Sequence, residues 1–403
     1  MPWPDARKKA GTAAAPLAAR RLSLQAAAGC LLAADLVALT DLPVTDTSAM
    51  DGWAVAGSPP WRVVADLPAG RLLGHRLVDG RCVGIATGAV VPDAADAVLP
   101  VERSRRDATG VYPLGPDTAP TPRTHIRRAG EEAGCGDVLL AAGTIVTPPV
   151  LGLAAAAGHD TLLVTPRATV DAFVLGDELT ASGLPTPGRT RDALGPQLPA
   201  WLTAFGAMPP SIVRLPDSLD DLTVALARSM ADLVITTGGT SVGPRDYVRA
   251  AVARAGGSVV VDGVRVKPGH PMLLAALPGG RWLVGLPGNP LAACVALLTL
   301  VGPLLGGLHG LGPTATVTAT LTTAEPGRAG DGHRLLPVLL GEDGAATVLP
   351  SCGPAMLRGL AQAAGLVVVP PPGSAAGEKV EYLPLPWQRL AVPGRYVGEC
   401  SLE

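Results

Sequence analysis

The spacing of hydrophobic positions changes character along the chain. Residues 21–38 carry apolar positions at helical spacing and predict a helix. From Trp53 to Leu140 the apolar runs are short: WAVAG, WRVVADL, RCVGIAT, DAVLPVE and DVLLAAG, separated by turn residues. That pattern predicts a small all-β module inserted in the chain. Residues 148–157 (PPVLGLAAAA) open with two prolines and stop at Gly158, which predicts a short helix.

Further on, TVDAFVL (169–175), SIVRL (211–215), DLVITT (232–237), SVVV (258–261), MLLAAL (272–277) and RWLVGL (281–286) read as buried strands. ALGPQLPAWLTAFG, LDDLTVALARSM and RDYVRAAVARAG lie between several of them and read as helices. Strands alternating with helices predict an α/β domain with a parallel sheet. From about residue 312 short β segments return, which predicts a separate small β domain.

Composition narrows this picture. A chain of 403 residues suits several domains, and 48% apolar content allows a sizeable core. Lys and Arg total 32 against 34 Asp and Glu, so no basic footprint for nucleic acid is present. The six cysteines form no C-x-x-C and lie away from histidines, which argues against a zinc site or disulfide framework and fits a reducing cytoplasm. No signal peptide is expected in the first 21 residues. The apolar run 290–308 is interrupted by Pro303 and is expected to be a core helix, so no membrane association is expected.

Ligands of open α/β sheets bind at the carboxyl ends of the strands, and three such ends carry unusual loops. DLVITTGGTSVGPRDYV (232–248) runs a strand into Gly238 and Gly239, with Ser241, Gly243 and Asp246 before the next helix. Glycines allow close backbone approach to an anion at a helix start. VGLPGNPLAACVAL (284–297) ends a strand in Pro287-Gly288-Asn289-Pro290, where Asn289 and Pro290 read as N-cap and first helical residue. VLGDELTASG (174–183) delivers Asp177 and Glu178, carboxylates suited to holding a metal or orienting water. In VKPGHPMLLA (266–275), Lys267 and His270 are fixed between prolines as donors for a phosphate or other oxyanion. Within the β module, DTSAMDGWAV offers Asp51, IATGAVVP offers Thr87 and Gly88, and HIRRAGEEAG offers Arg127 and Arg128. Walker A, H-E-x-x-H, G-x-S-x-G and Rossmann signatures are absent, which disfavours ordinary ATPases, zinc proteases, hydrolases and dehydrogenases.

In this order, TSAMDGWAV, ATGAVVP, IRRAGEEAG, GDEL, TTGGTSVGPRDY, KPGHP and GLPGNP resemble the molybdopterin molybdenumtransferase family (MoeA and the E domain of gephyrin) over about residues 20–395. The resemblance implies a multidomain α/β plus β architecture. A linker domain is split between 1–45 and 136–167. A β module follows at 46–135, a molybdopterin-binding-type α/β domain at 168–310 and a C-terminal β barrel at 311–403. It also implies a cytoplasmic enzyme that inserts molybdate into adenylylated molybdopterin, with release of AMP and a Mg²⁺ requirement.

The implied catalytic residues are Asp51, Glu178, Asp246, Lys267 and His270, with Glu178 as the metal ligand. The implied substrate-binding residues are Thr87, Asp217, Gly238, Gly239, Ser241, Gly243, Pro287, Gly288, Asn289 and Pro290. A homodimer is implied, in which Asp51, Thr87, Arg127 and Arg128 close the cleft of the other subunit, with other cofactor-biosynthesis proteins as further partners. The chain departs from the pattern at His270 (usually lysine), Glu132 (aspartate), Leu175 (threonine), Arg191-Asp192-Ala193 (DSN) and Arg358 (serine). These departures keep open a weakly catalytic or non-catalytic pterin-binding scaffold. An adenylyltransferase is a third reading, disfavoured by the additional domains.

Overall fold

The computed structural model describes residues 1–240, 247–312, 316–327, 330, 332–350 and 352–387. Two compact units are present: Arg20–Val164, and Met1–Ala19 together with Thr165–Glu403. The chain opens with helix α1 (Trp3–Ala13), which buries Trp3, Ala6 and Ala10 along one stripe. Residues 1–19 cluster with the unit that holds the α/β domain.

In the unit Arg20–Val164, the helix expected over 21–38 is reduced to one turn, Leu24–Ala27. Its flanks are strands: Arg20–Ser23 pairs antiparallel with Thr161–Val164, and Leu36 and Val37 pair with residues 138–140. Cross-strand partners distant in sequence override the helix preference of this alanine-rich stretch. The β module contains a four-stranded sheet of β1 (Gly52–Ala56), β2 (Arg62–Leu67), β3 (Arg81–Ile85) and β4 (Ala97–Pro100), in the order β2-β3-β1-β4. A helix over Pro148–Ala156 follows, as its prolines predict.

The other unit is built on a six-stranded sheet. Its strands are β5 (Val170–Leu175), β6 (Ser211–Leu215), β7 (Leu233–Thr237), β8 (Ser258–Asp262), then β10 (Leu273–Leu277) and β11 (Arg281–Leu286), which follow the two-residue β9 (Val266–Lys267). The order is β6-β5-β7-β11-β10-β8. The first four are parallel, as expected; β10 alone runs opposite, pairing antiparallel with both β11 and β8, so that β8 shares the direction of the first four. Helices Leu198–Ala204, Leu219–Arg228 and Tyr247–Arg254 cover the sheet. SIVRL and SVVV were expected to be buried, but they form the two edges, and most of their residues are exposed. An edge strand lacks a neighbour on one side, so an apolar run there stays only partly covered.

Pro290–His309 forms one long apolar helix, 83% buried, with a π-turn at Leu297–Val301. It is the core helix of this unit, against which α1 packs: a Cβ at Gly307 would lie 2.9 Å from the Gly11 carbonyl oxygen. Trp3 Nε1 donates to Thr299 Oγ1 (3.0 Å) and Arg7 donates to the Leu298 carbonyl (2.6 Å), both groups of the π-turn. The C-terminal strands β12 (Val317–Leu321), β13 (His333–Leu340), β14 (Ala345–Val348), β15 (Gly365–Val369) and β16 (Lys379–Pro384) close into a five-stranded barrel, because β13 pairs with both β14 and β15.

Candidate functional site

Three loops leave the carboxyl ends of adjacent strands β5, β7 and β11. The backbone joins them directly: Gly238 N–H donates to the Leu286 carbonyl (2.9 Å). A Cβ on Gly288 would lie 3.8 Å from Gly238 Cα, and one on Gly238 would lie 3.6 Å from the Leu175 carbonyl oxygen. Gly238 and Gly239 have φ of +83° and +66°, a conformation few side-chain-bearing residues adopt. The consecutive left-handed glycines turn the chain back over the strand ends, where backbone groups meet a ligand. Ser241, Gly243 and Asp246, the rest of that motif, lie outside the described residues.

The PGNP loop differs from expectation. Asn289 occupies the N-cap position and Pro290 the first helical one, yet the Asn289 side chain makes no capping bond. The carbonyl of Pro354 takes the capping role instead, accepting from the amides of Leu291 (2.9 Å) and Ala292 (3.2 Å). Proline has no N–H, so Gly288 and Asn289, both exposed, supply the backbone donors of this loop, and the Asn289 amide is free of the cap.

Glu178 is exposed and folds back on its own turn: a Cβ at Gly176 would stand 3.0 Å from each of its carboxylate oxygens. Asp177 Oδ1 accepts the Asp217 amide (3.3 Å), which ties the expected acidic position after β6 to the end of β5. Lys267 and His270 are exposed on the loop leading into β10. That loop packs on the PGNP helix, since a Cβ at Gly269 would lie 3.2 Å from the Ala292 carbonyl oxygen. The segments carrying Asp177-Glu178-Asp217, Gly238-Gly239, Lys267-His270 and Pro287–Pro290 are therefore linked through packed neighbours on one unit.

A second constellation lies within the β module. The Thr87 amide and hydroxyl both donate to Asp51 Oδ1, at 2.6 and 2.8 Å. These two bonds, the amide first, hold the fully exposed Asp51 carboxyl below its ordinary range. Gly52, beside it, faces the Leu99 carbonyl so closely that a Cβ would lie 2.1 Å from the oxygen. Arg127 is brought alongside by the pairing of Ile126-Arg127 with Ser48-Thr47. Asp46 joins the motifs: it accepts from the Ala129 amide (3.0 Å) and pairs with Arg123 (2.6 Å), and the amide bond in particular lowers its pKa.

Sequence reasoning missed three residues. Asp46 stands inside a quoted motif, but only its contacts reveal that it binds two loops together. Arg249 pairs with Asp262 (2.5 Å) and donates to the Thr240 carbonyl (3.1 Å), bracing the glycine turn from the following helix. Arg334 is the register partner of Lys267 in the β9–β13 pairing. Nothing in the sequence joins residues 267 and 334; the barrel does.

Comparison with known proteins decides the family. Residues 1–158 match the MoeA N-terminal region (domain I and II), residues 172–307 a probable molybdopterin binding domain, and residues 319–385 the MoeA C-terminal region (domain IV). The chain belongs to the MoeA family of molybdopterin molybdenumtransferases. Molybdopterin molybdenumtransferase 2 of Mycobacterium tuberculosis is 36% identical over 373 residues, covering 86% of this chain and 90% of that protein. The molybdopterin molybdenumtransferase of Haemophilus influenzae is 33% identical over 303 residues, covering 73% and 74%. In fold, the chain matches a Pyrococcus horikoshii molybdopterin biosynthesis MoeA protein at TM-score 0.72 and 24% identity, over 96% of this chain and 99% of that one.

As a MoeA-family chain it carries its departures in definite places. Leu175 is buried and its Cδ1 would lie 3.4 Å from a Cβ on Gly239, so it packs beneath the glycine turn where a threonine would offer a hydroxyl. Asp192 is buried, accepts the Leu194 and Gly195 amides (2.9 Å each) and pairs with Arg214 (2.5 Å), a structural use of that carboxylate. Glu132 and Arg358 are exposed.

Proposed function

We propose that this MoeA-family chain inserts molybdate into adenylylated molybdopterin and releases AMP. Membership of the family supports a transferase of molybdenum cofactor biosynthesis. The observation that carries the finer reading is the convergence of glycine turn, PGNP loop, GDEL turn and KPGHP loop on one end of the α/β sheet.

In this reading the left-handed turn at Gly238-Gly239 and the amides of Gly288 and Asn289 receive the phosphate and nucleotide portions of the pterin substrate. Lys267 attracts the tetrahedral molybdate dianion, with His270 as its neighbour. Asp51, fixed by Thr87, together with Arg127 and Arg128, reaches the site from the second copy of a cytoplasmic homodimer. Among the described residues no three His, Cys, Asp or Glu side chains gather as a metal cage. The Asp177-Glu178 pair nevertheless suits Mg²⁺, which takes one or two carboxylates and draws its remaining ligands from phosphates and water. Glu178 would hold the ion, which when bound supplies charge neutralisation to phosphoryl oxygens. Cys294, beside the PGNP loop, takes no nucleophilic part: burial pushes its thiol up to about 12.

The test mixes the protein with adenylylated molybdopterin, Mg²⁺ and molybdate. The proposal expects AMP and metal-loaded cofactor in equal amounts. Tight pterin binding without either product replaces it with the scaffold reading.

A further inference from the structure

Past the ends of β12 and β15 the barrel carries a short ribbon, in which Glu325-Pro326 pairs antiparallel with Gly373-Ser374. Its two chains cross at bare backbone: a Cβ on Gly373, whose φ is +91°, would lie 2.5 Å from the Gly327 amide nitrogen. An open cleft of about 380 Å³ lies against this ribbon, lined by residues 324–326, 372–375 and 378.

Two polar groups of the cleft are poorly satisfied. Ser374 is 7% exposed, and its Oγ has no hydrogen-bond partner among the described residues. Glu325 stands directly opposite Ser374 in the ribbon, so the two side chains share one face. The Glu325 side chain is 15% exposed, yet its ion pair with Arg334 is long, at 3.4 Å, because the same Nη1 donates to the Pro326 carbonyl at 2.7 Å. A buried carboxylate and a buried hydroxyl in this state cost stability until a further donor reaches them. Glu378, exposed at the rim, accepts the Ala375 amide through Oε2 (2.8 Å).

The walls are rich in acceptors and poor in donors. Pro326 and Pro372 have no N–H. The amides of Gly373, Ala375 and Glu378 are spent on the Pro370 carbonyl, the Glu378 carboxylate and the Ala375 carbonyl. An occupant must therefore bring the N–H donors and the positive charge. Among the described residues no third His, Cys, Asp or Glu completes a metal cage here, and the Arg334 guanidinium beside Glu325 opposes a dication. An alkylammonium carries one charge and several donors on one nitrogen, and its methylenes suit the side chains of Ala324, Ala375 and the two prolines. We propose that this cleft binds a small aliphatic ammonium compound. Ser374 Oγ and the Glu325 carboxylate receive its N–H groups, and Glu378 supplies charge at the rim. The proposal does not depend on the transferase reading.

Titration calorimetry of the full-length chain with diaminobutane, n-butylamine and n-butanol, at constant ionic strength, tests this. Both amines should bind one-to-one, and the alcohol of equal chain length should give no saturable heat. Glu325→Gln and Glu378→Gln should each weaken amine binding about tenfold, the scale of a hydrogen bond to a charged group. Ser374→Ala should weaken it roughly two- to tenfold, the scale of a neutral one. Without ligand, Ser374→Ala should keep or raise the thermal midpoint, because it removes a hydroxyl that has no partner in the empty cleft. Glu378 is exposed, so Glu378→Gln reports on binding even where Glu325→Gln disturbs the fold. No saturable binding of either amine, butanol binding as tightly as butylamine, or amine binding unchanged in Glu378→Gln or Ser374→Ala overturns the proposal. A lowered midpoint for ligand-free Ser374→Ala overturns it too, since the hydroxyl would then be serving the fold.

Discussion

At the scale of single residues, two buried polar groups have consequences that can be measured. His309 is buried and accepts the Ala168 amide through Nε2 (3.0 Å), which requires the unprotonated nitrogen. Burial, and secondarily Arg167, lower its pKa, and burial lowers that of His333 too. The unfolded chain therefore binds protons at these histidines before the folded one does. Their stability contribution is complete above the ordinary histidine range and is lost as pH falls below about 6.5 toward the lowered values. The thermal midpoint should thus drop between pH 7 and pH 5, and His309→Gln, which keeps an acceptor, should shrink the drop. An undiminished drop in that variant would remove His309 from the account. Asp192 gives a second case. Asp192→Ala removes two turn bonds and the partner of Arg214, which is partly exposed, so a loss of about 2–3 kcal/mol in urea unfolding is expected. A change under about 0.5 kcal/mol, the range of an ordinary surface substitution, would contradict the role given to it.

At the scale of elements, the hydrophobic period identified the strands of the α/β domain because each carries a short apolar run, buried in the central strands and largely exposed at the two edges, and the structure places them within a residue or two. It failed where partners lie far along the chain. Residues 21–38 look helical alone but meet strands near residues 140 and 160, and no local pattern marks that. The reversal of β10 was hidden for a related reason: RWLVGL and MLLAAL read alike whether their neighbour runs parallel or not. Helix α1 also shows long-range control. Trp3 is 1% exposed, bonds Thr299 of the π-turn and lies 5.8 Å from the His333 ring. Trp3→Ala should cost about 3–5 kcal/mol. A double-mutant cycle with Thr299→Val should return about 1 kcal/mol of coupling for the buried hydrogen bond, and additivity would deny that the bond contributes. Gly52→Ala should destabilise the β module by about 1–3 kcal/mol, since the added methyl meets the Leu99 carbonyl between paired strands β1 and β4.

At the scale of the whole molecule, the candidate site was legible as motifs but not as a constellation. Glycine pairs, PGNP and KPGHP announce rigid loops, because proline and left-handed glycine restrict the chain wherever they occur. Their meeting depends on strand order, which sets β5, β7 and β11 side by side, and on β9 joining the barrel so that Lys267 faces Arg334 in register. Arg249 and Asp46 were invisible for the same reason, since each acts through contacts with backbone remote from it in sequence. The central claim is that these loops form one site in which Lys267 serves the inorganic anion and not the pterin. The direct measurement is molybdate-dependent AMP release from adenylylated molybdopterin by wild type and Lys267→Ala, with pterin affinity measured alongside. The account predicts release slowed on the order of 100-fold or more, the scale for removing a charged donor from a preorganised site, with pterin affinity kept within a few-fold. Unchanged AMP release, or pterin binding lost in step with it, would contradict the account.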